Sequence, residues 1–307
     1  MRQKYIPWLF LGPALILLLT TNFYPTIYTL VMSLTNTGPG RSDFVGLANY
    51  GRMLQDPQFW DSLRVTAIYV AGVVLGELIV GLALALLLEQ SFPLRGLIRA
   101  LVVLPMSMTP IVMALGWRMM YNSTFGILNY IFYLLGLPTQ GWLGDNVLAL
   151  PSLMIVDIWQ WSPFIAFILL SALESMSPEP IESAKIDGAN SWQIVRHVKI
   201  PALATVASIA VTIRAIDAIK TFEIIYATTQ GGPGTSTLTL NIWAFLTGFR
   251  WASLGYASAI CLMLLFITST IAMLVLRRTM DDMVQPRRSL FIAIRSRILA
   301  LGRRSAL

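Results

Sequence analysis

Residues 182–201 read Glu182-Ser183-Ala184-Lys185-Ile186-Asp187-Gly188-Ala189-Asn190-Ser191-Trp192-Gln193-Ile194-Val195-Arg196-His197-Val198-Lys199-Ile200-Pro201. This polar stretch lies between two long apolar runs, approximately Val147–Leu173 and Pro201–Ala227. Each run exceeds the roughly 20 residues a helix needs to cross a bilayer core of about 30 Å. Four more runs of that kind occur, approximately Ile6–Leu34, Val65–Leu88, Leu97–Met120 and Leu254–Leu276. Hydrophobic residues make up 56% of the 307-residue chain and charged residues 12%, against roughly 25% charged in a soluble domain. Backbone polar groups inside lipid must be paired within the segment, so single spans of this kind are helices. The sequence therefore predicts an all-α polytopic membrane protein with six transmembrane helices, Pro25 being expected to kink the first.

Loop charges give an orientation. Arg2, Lys4, Arg95, Arg99, Lys185, Arg196, Lys199 and eight arginines beyond Leu276 fall on one side. Arg41, Arg52, Arg64 and Arg250 fall on the other. Positive residues mark the cytoplasm, which places both termini and the 182–201 connection there. Apolar character continues through Tyr24-Pro25 with no small-x-small site, so the first span is read as retained, not as a cleaved leader. The basic tail, with Leu290, Phe291, Ile294, Ile298 and Leu301 at helix-like spacing, reads either as an amphipathic helix on an anionic leaflet or as a frayed polar tail. The net charge of +7 needs no nucleic acid to explain it.

Locally, Pro178 and Pro180 interrupt the end of the fourth span, and Glu182–Asp187 can form a short helix. Glu182 then sits in its first turn, where a negative charge suits the helix dipole. Gly188 is placed as its C-terminal cap, and the small Ala184 and Ala189 allow another protein surface to approach closely.

Charged residues within spans cost several kcal/mol unless they face a cavity or a partner. Asp157 lies in Val156-Asp157-Ile158-Trp159-Gln160-Trp161-Ser162-Pro163-Phe164. Arg214, Asp217 and Lys220 recur every three residues, which predicts one helix face of alternating sign, with Thr221 adjacent. Two uses stay open: a structural ion-pair ladder or polar seam against a partner subunit, or a wet path in which carboxylates, guanidinium groups and aromatic rings hold sugar hydroxyls and ring faces. Glu77 and Arg118 are read as structural.

Enzyme readings find little support. His197 is the sole histidine and Cys261 the sole cysteine; neither has metal-ligand or nucleophile spacing around it, and Cys261 reads as a small packed residue. No metal site or bound cofactor is expected on this chain. The chain lacks Gly-x-x-x-x-Gly-Lys-Ser/Thr, so if ATP drives it, the ATPase is another chain. Gly231-Gly232-Pro233-Gly234 reads as a turn.

The pattern Glu182, Ala184, Asp187-Gly188-Ala189 and Pro201 resembles the coupling loop of ABC importer permeases, with Ser183 in place of an alanine and Ile200 in place of a leucine. Phe44-Val45-Gly46-Leu47-Ala48-Asn49-Tyr50 with Asp56-Pro57-Gln58-Phe59-Trp60, and Phe222-Glu223-Ile224-Ile225-Tyr226 with Gly231-Gly232-Pro233, resemble further signatures of the carbohydrate-type members. The resemblance runs from about Trp8 to Arg278. It is nearest the larger, maltose-type subunit, without that subunit's extra external domain. It implies the type I importer permease fold in a bacterial or archaeal inner membrane. It divides the chain into a first helix and external segment (1–63), a permease core (64–278) holding the coupling loop (174–200), and a basic cytoplasmic tail (279–307). The implied partners are a second permease, an ATP-binding subunit dimer carrying ATP and Mg, and an external solute-binding protein. Glu182, Ser183, Ala184, Asp187, Gly188 and Ala189 would insert into a groove of the ATPase. Asp157, Trp161, Phe164, Arg214, Asp217, Ala218 and Thr221 match sugar-contact positions, where only the aromatic character of Phe164 is retained. The implied function is import of a mono- to oligosaccharide or polyol, with glycerol phosphate-type solutes as an alternative. An ion-coupled secondary transporter, suggested by Asp157, Asp217 and Glu223, is the reading from another class; it would show internal repeats over more spans.

Overall fold

The computed structural model describes residues 6–38 and 41–284. The described residues are mostly helical. In order come α1 (Ile6–Leu18), a π turn (Leu19–Phe23), α2 (Tyr24–Ser33), strands β1 (Thr35–Gly38) and β2 (Arg41–Phe44), α3 (Ala48–Gln55), α4 (Pro57–Glu89), α5 (Arg95–Ser107) and α6 (Pro110–Met120). After these stand α7 (Ile127–Leu134), α8 (Ala149–Glu174), α9 (Glu179–Ile186), α10 (Ser191–Ile194), a π turn (Val195–Lys199), α11 (Ile200–Ile219), α12 (Glu223–Thr228), α13 (Leu240–Phe245), a π turn (Leu246–Arg250) and α14 (Leu254–Val284). The strands form one antiparallel ribbon, Thr35 opposite Phe44.

Among the described residues, five helical segments are long and apolar enough to span a membrane, and a bent pair can supply the sixth. The expected span Leu97–Met120 falls on this bent pair, in which α5 and α6 meet at 96°. The cause is local. Pro105 and Pro110 deny two backbone donors near the break, and Met108 turns to extended geometry (ψ 142°). The expected span Pro201–Ala227 also divides, because α11 stops at Ile219 and α12 starts at Glu223. At Pro25 the sequence expectation was a kink; the structure has a π turn ahead of it, in which the Tyr24 N–H reaches back to the Leu19 carbonyl. The tail beyond Val284 lies outside the described residues.

Two compact units are present. The first holds residues 6–70, 110–156 and 219–268. There Asn49 is buried and donates to the carbonyls of Ser33 (2.8 Å) and Thr35 (2.9 Å). The Tyr256 hydroxyl donates to Asp56 (2.6 Å), with Arg52 over its ring. Arg118 donates to the Ala227 carbonyl at 3.1 Å. Gly231 and Gly234 take left-handed angles (φ +94° and +56°) in the expected turn. Cys261 corrects its expectation: it is exposed, not packed.

The second unit holds residues 71–109, 157–218 and 269–284. Its core joins Ala85 and Leu88 to Ile165, Leu169, Leu173, Leu203 and Ala210. Small residues set the closest approach, as expected where packing and not water exclusion drives association. A side chain at Gly76 would collide with Ile158, and a Cβ at Gly81 would lie 2.8 Å from Ile165 and 3.1 Å from the Ser162 carbonyl. Those glycines draw α4 onto α8, and thereby place Glu77 beside Asp157.

Candidate functional site

Two assemblies in the second unit hold most of the residues that the sequence marks as functional. The first is the 182–201 connection. The short helix is present as α9 but starts three residues before Glu182, because proline is tolerated in a first turn, where its missing N–H has no helical acceptor. Pro180 occupies that turn, and Glu179 and Glu182 both stand in it, with Lys185 in the last turn. Gly188 has φ +80°. Its N–H donates to the Lys185 carbonyl (3.1 Å) and the Ala189 N–H to the Ala184 carbonyl (2.9 Å), the paired closure of a Schellman cap. Glu182, Ser183, Asp187 and Gly188 are exposed; Ala184 and Ala189 are half-buried. Ile186 (86% exposed) and Trp192 (67%) show large apolar side chains on this same segment.

The bonds that hold this connection in place were not read from the sequence. Asn190 and Gln193 form a reciprocal capping box (2.9 and 2.8 Å), legible as Asn-x-x-Gln. Lys199 pairs with Glu89 at the end of α4 (2.6 Å). Arg95 and Arg99 both reach Glu174 at the end of α8 and the Leu88 carbonyl. Lys199 thus ties the connection to α4 by charge, while Arg95 and Arg99 tie α5 to the ends of α4 and α8. His197 sits in the π turn, its Nδ1 3.0 Å from the Gln193 carbonyl.

The second assembly is centred on Arg214, which is 2% exposed. Its Nε and Nη2 donate to Glu77 at 2.8 and 2.7 Å, and Nη2 also to Asp157 at 3.2 Å. Nη1 lies 3.9 Å from Asp217, one helical turn on. The guanidinium carbon stands 4.6 Å from the centroid of the Trp161 ring, and Trp161 meets Phe164 edge-on at 6.4 Å. Glu77 and Asp157 are as buried as Arg214, whereas the Asp217 side chain is 47% exposed and Trp161 and Phe164 are half-buried. A bidentate fork of this kind is the arrangement that makes a buried charge tolerable. Arg214 thus commits Nε and Nη2 to Glu77 and Asp157, and Trp161, Phe164 and Asp217 are the more exposed members of the cluster.

The structure brings together Asp157, Trp161, Phe164, Arg214 and Asp217. Ala218 is buried beside them in sequence. Thr221 belongs to the other unit. Lys220 corrects the expected three-charge helix face: α11 ends at Ile219, and the Lys220 carbonyl accepts from Asn241 at 2.7 Å. Glu77 was missed as a member of the cluster. Gln160 was missed too: it is fully buried, and its Nε2 donates to the Met108 carbonyl (3.2 Å) at the α5–α6 break.

Comparison with known proteins places these features. Residues 77–282 match the family described as binding-protein-dependent transport system inner membrane component. A probable ABC transporter permease protein, y4oQ of Sinorhizobium fredii, is 37% identical, over 84% of each chain. The trehalose/maltose transport system permease protein MalF of Thermococcus litoralis is 34% identical, over 92% of this chain and 96% of that one. The sulfoquinovosyl glycerol transport system permease protein SmoG of Agrobacterium fabrum is 31% identical, over 91% and 92%. Among solved structures, a chain of a bacterial ABC transporter importing the acidic polysaccharide alginate superposes with a TM-score of 0.81 at 19% identity, over 91% of this chain and 96% of that one. The expected type I importer permease fold is the fold found. On the family match and the full-length relatives together, the chain belongs to the binding-protein-dependent transport system inner membrane components.

Proposed function

We propose that this chain is one of two permease subunits in an ATP-driven importer of a sugar or related polyol and forms half of its translocation pathway. The observation that carries the sugar reading is the face presented by Trp161, Phe164 and Asp217. Apolar rings beside a half-exposed carboxylate suit a solute with apolar ring faces and hydroxyl donors. The trehalose/maltose and sulfoquinovosyl glycerol relatives support it. Arg214 already faces three carboxylates, so it is poorly placed to receive an anion, which weighs against glycerol phosphate at this point of the path. Family membership weighs against an ion-coupled secondary transporter.

Residues 64–278 serve as the permease core, and α9 with Gly188–Ala189 as the element that docks on the ATPase. Closure of the ATPase dimer on ATP would move α9, and α8 and α11 on either side would rock to open the path toward an external binding protein. ATP and Mg belong to the partner subunits, and nothing in the cycle requires chemistry on this chain.

The pathway reading is tested in proteoliposomes holding the full transporter with its binding protein, assayed for uptake of labelled glucose, maltose, trehalose, glycerol and glycerol 3-phosphate. Trp161→Ala and Asp217→Asn are each expected to reduce sugar uptake roughly tenfold or more, the loss of a central contact, while the complex still assembles. Wild-type uptake in both variants would remove these residues from the path; glycerol 3-phosphate as the transported solute would replace the sugar reading.

The proposed orientation rests on charge asymmetry between loops. A reporter fused after Arg278 should read as cytoplasmic, and one inserted near Gly234 as external. Labelling at Gly234 only after permeabilisation would overturn the six-span orientation.

A further inference from the structure

We propose that Arg214 is a positioning residue for transport: clamped by Glu77 and Asp157, its guanidinium holds the ring of Trp161 at the wall of the solute path. This rests on the reading of Trp161 as part of that wall. Arg214 is almost wholly buried and its fork is committed to Glu77, so it acts through a neighbour and not by touching solute. The planar fork fixes the plane of the guanidinium, since two parallel bonds define an orientation that one cannot. The guanidinium carbon lies over the Trp161 ring, 4.6 Å from its centroid. That ring in turn sets the edge-on contact with Phe164, so one buried cation orders both aromatic side chains. The local helix alone holds this turn weakly. Pro163, within α8, supplies no N–H to the Trp159 carbonyl, and a proline inside a helix loosens the turn before it. A clamp from α11 and α4 compensates.

Lysine would keep the charge but lose the fork and the flat face, which makes Arg214→Lys the discriminating variant. The chain has 9 tryptophans; the contribution of Trp161 to acrylamide quenching is isolated by subtracting the Trp161→Phe protein. In the purified full complex, Arg214→Lys is expected to raise the quenching constant of the Trp161 component roughly threefold or more, the population shift that loss of a desolvated cation–π contact allows. The other tryptophans should not change. Glu77→Gln, which weakens the fork without removing Arg214, should move the same component in the same direction. In proteoliposomes carrying the transported sugar, Arg214→Lys should lower the maximal uptake rate, yet add nothing further when Trp161 is already alanine. Unchanged quenching of Trp161 in both variants would overturn the proposal. So would increased quenching of every tryptophan, which would make the cluster a general support of the fold, or additive losses in the double variant. If Trp161→Ala transports at the wild-type rate, the pathway reading falls, while the quenching comparison still decides whether Arg214 holds the ring.

Discussion

Replacing Glu77 with alanine is expected to cost about 3–5 kcal/mol of stability, because removing one partner of a buried ion pair strands the other charge. Arg214, 2% exposed, would keep only Asp157 at 3.2 Å and the more distant Asp217. In the detergent-purified permease, the temperature of half-denaturation should fall by roughly 5–15 °C. The comparison is Glu89→Ala, which removes the partner of Lys199 at a site with 16% and 22% of the side chains exposed; a pair in contact with solvent is worth about 1 kcal/mol or less. Equal, small effects in both variants would mean that the Arg214 cluster is hydrated in the native protein and is not an internal anchor.

Much of this fold is legible in the sequence because lipid leaves few alternatives. Long uncharged runs must be helical, and the Glu182–Ala189 pattern fixes a cap at Gly188 by its need for a left-handed residue. The break between α5 and α6 was not read, although Pro105 and Pro110 bracket it; apolar composition continues across a bend as readily as along a straight helix. The end of α11 was missed for a related reason. Three-residue spacing carried Lys220 onto the helix face of Arg214 and Asp217, but spacing says nothing of where backbone hydrogen bonding stops. Glu77 was seen as an intramembrane acid and left without a partner. Its counter-charge lies 137 positions on, a distance no local period reports. Two clues were available: Gly76 and Gly81 mark a close helix approach, and an acid within a span needs a cation. Glu77, Asp157 and Arg214 form a buried ion cluster, and Trp161, Phe164 and Asp217 a more exposed rim beside it. Contact with solute is the use proposed for that rim.

The larger functional effect is expected at the connection between α8 and α11. A Cβ at Gly188 would meet nothing within 4 Å, yet the residue has φ +80°. Valine there is penalised by its own backbone, by roughly 1–3 kcal/mol, and would open the cap formed by the Gly188 and Ala189 N–H groups. Glu182→Lys works differently. It leaves an exposed first turn folded, at a cost of about 0.3–1 kcal/mol in dipole interaction, while reversing the charge offered to a docking partner. One substitution alters the shape of the element, the other its surface, and both variants should still insert and assemble with a second permease.

The most direct measurement is the stimulation of ATP hydrolysis by sugar-loaded binding protein in the reconstituted transporter, compared between wild type, Gly188→Val and Glu182→Lys. Stimulation is expected in the wild type, with its loss by roughly tenfold or more in each variant, as for truncation of an interface hot spot. Full stimulation in both variants would show that α9 and its cap do not couple this chain to an ATPase, and would contradict the proposed function at its centre.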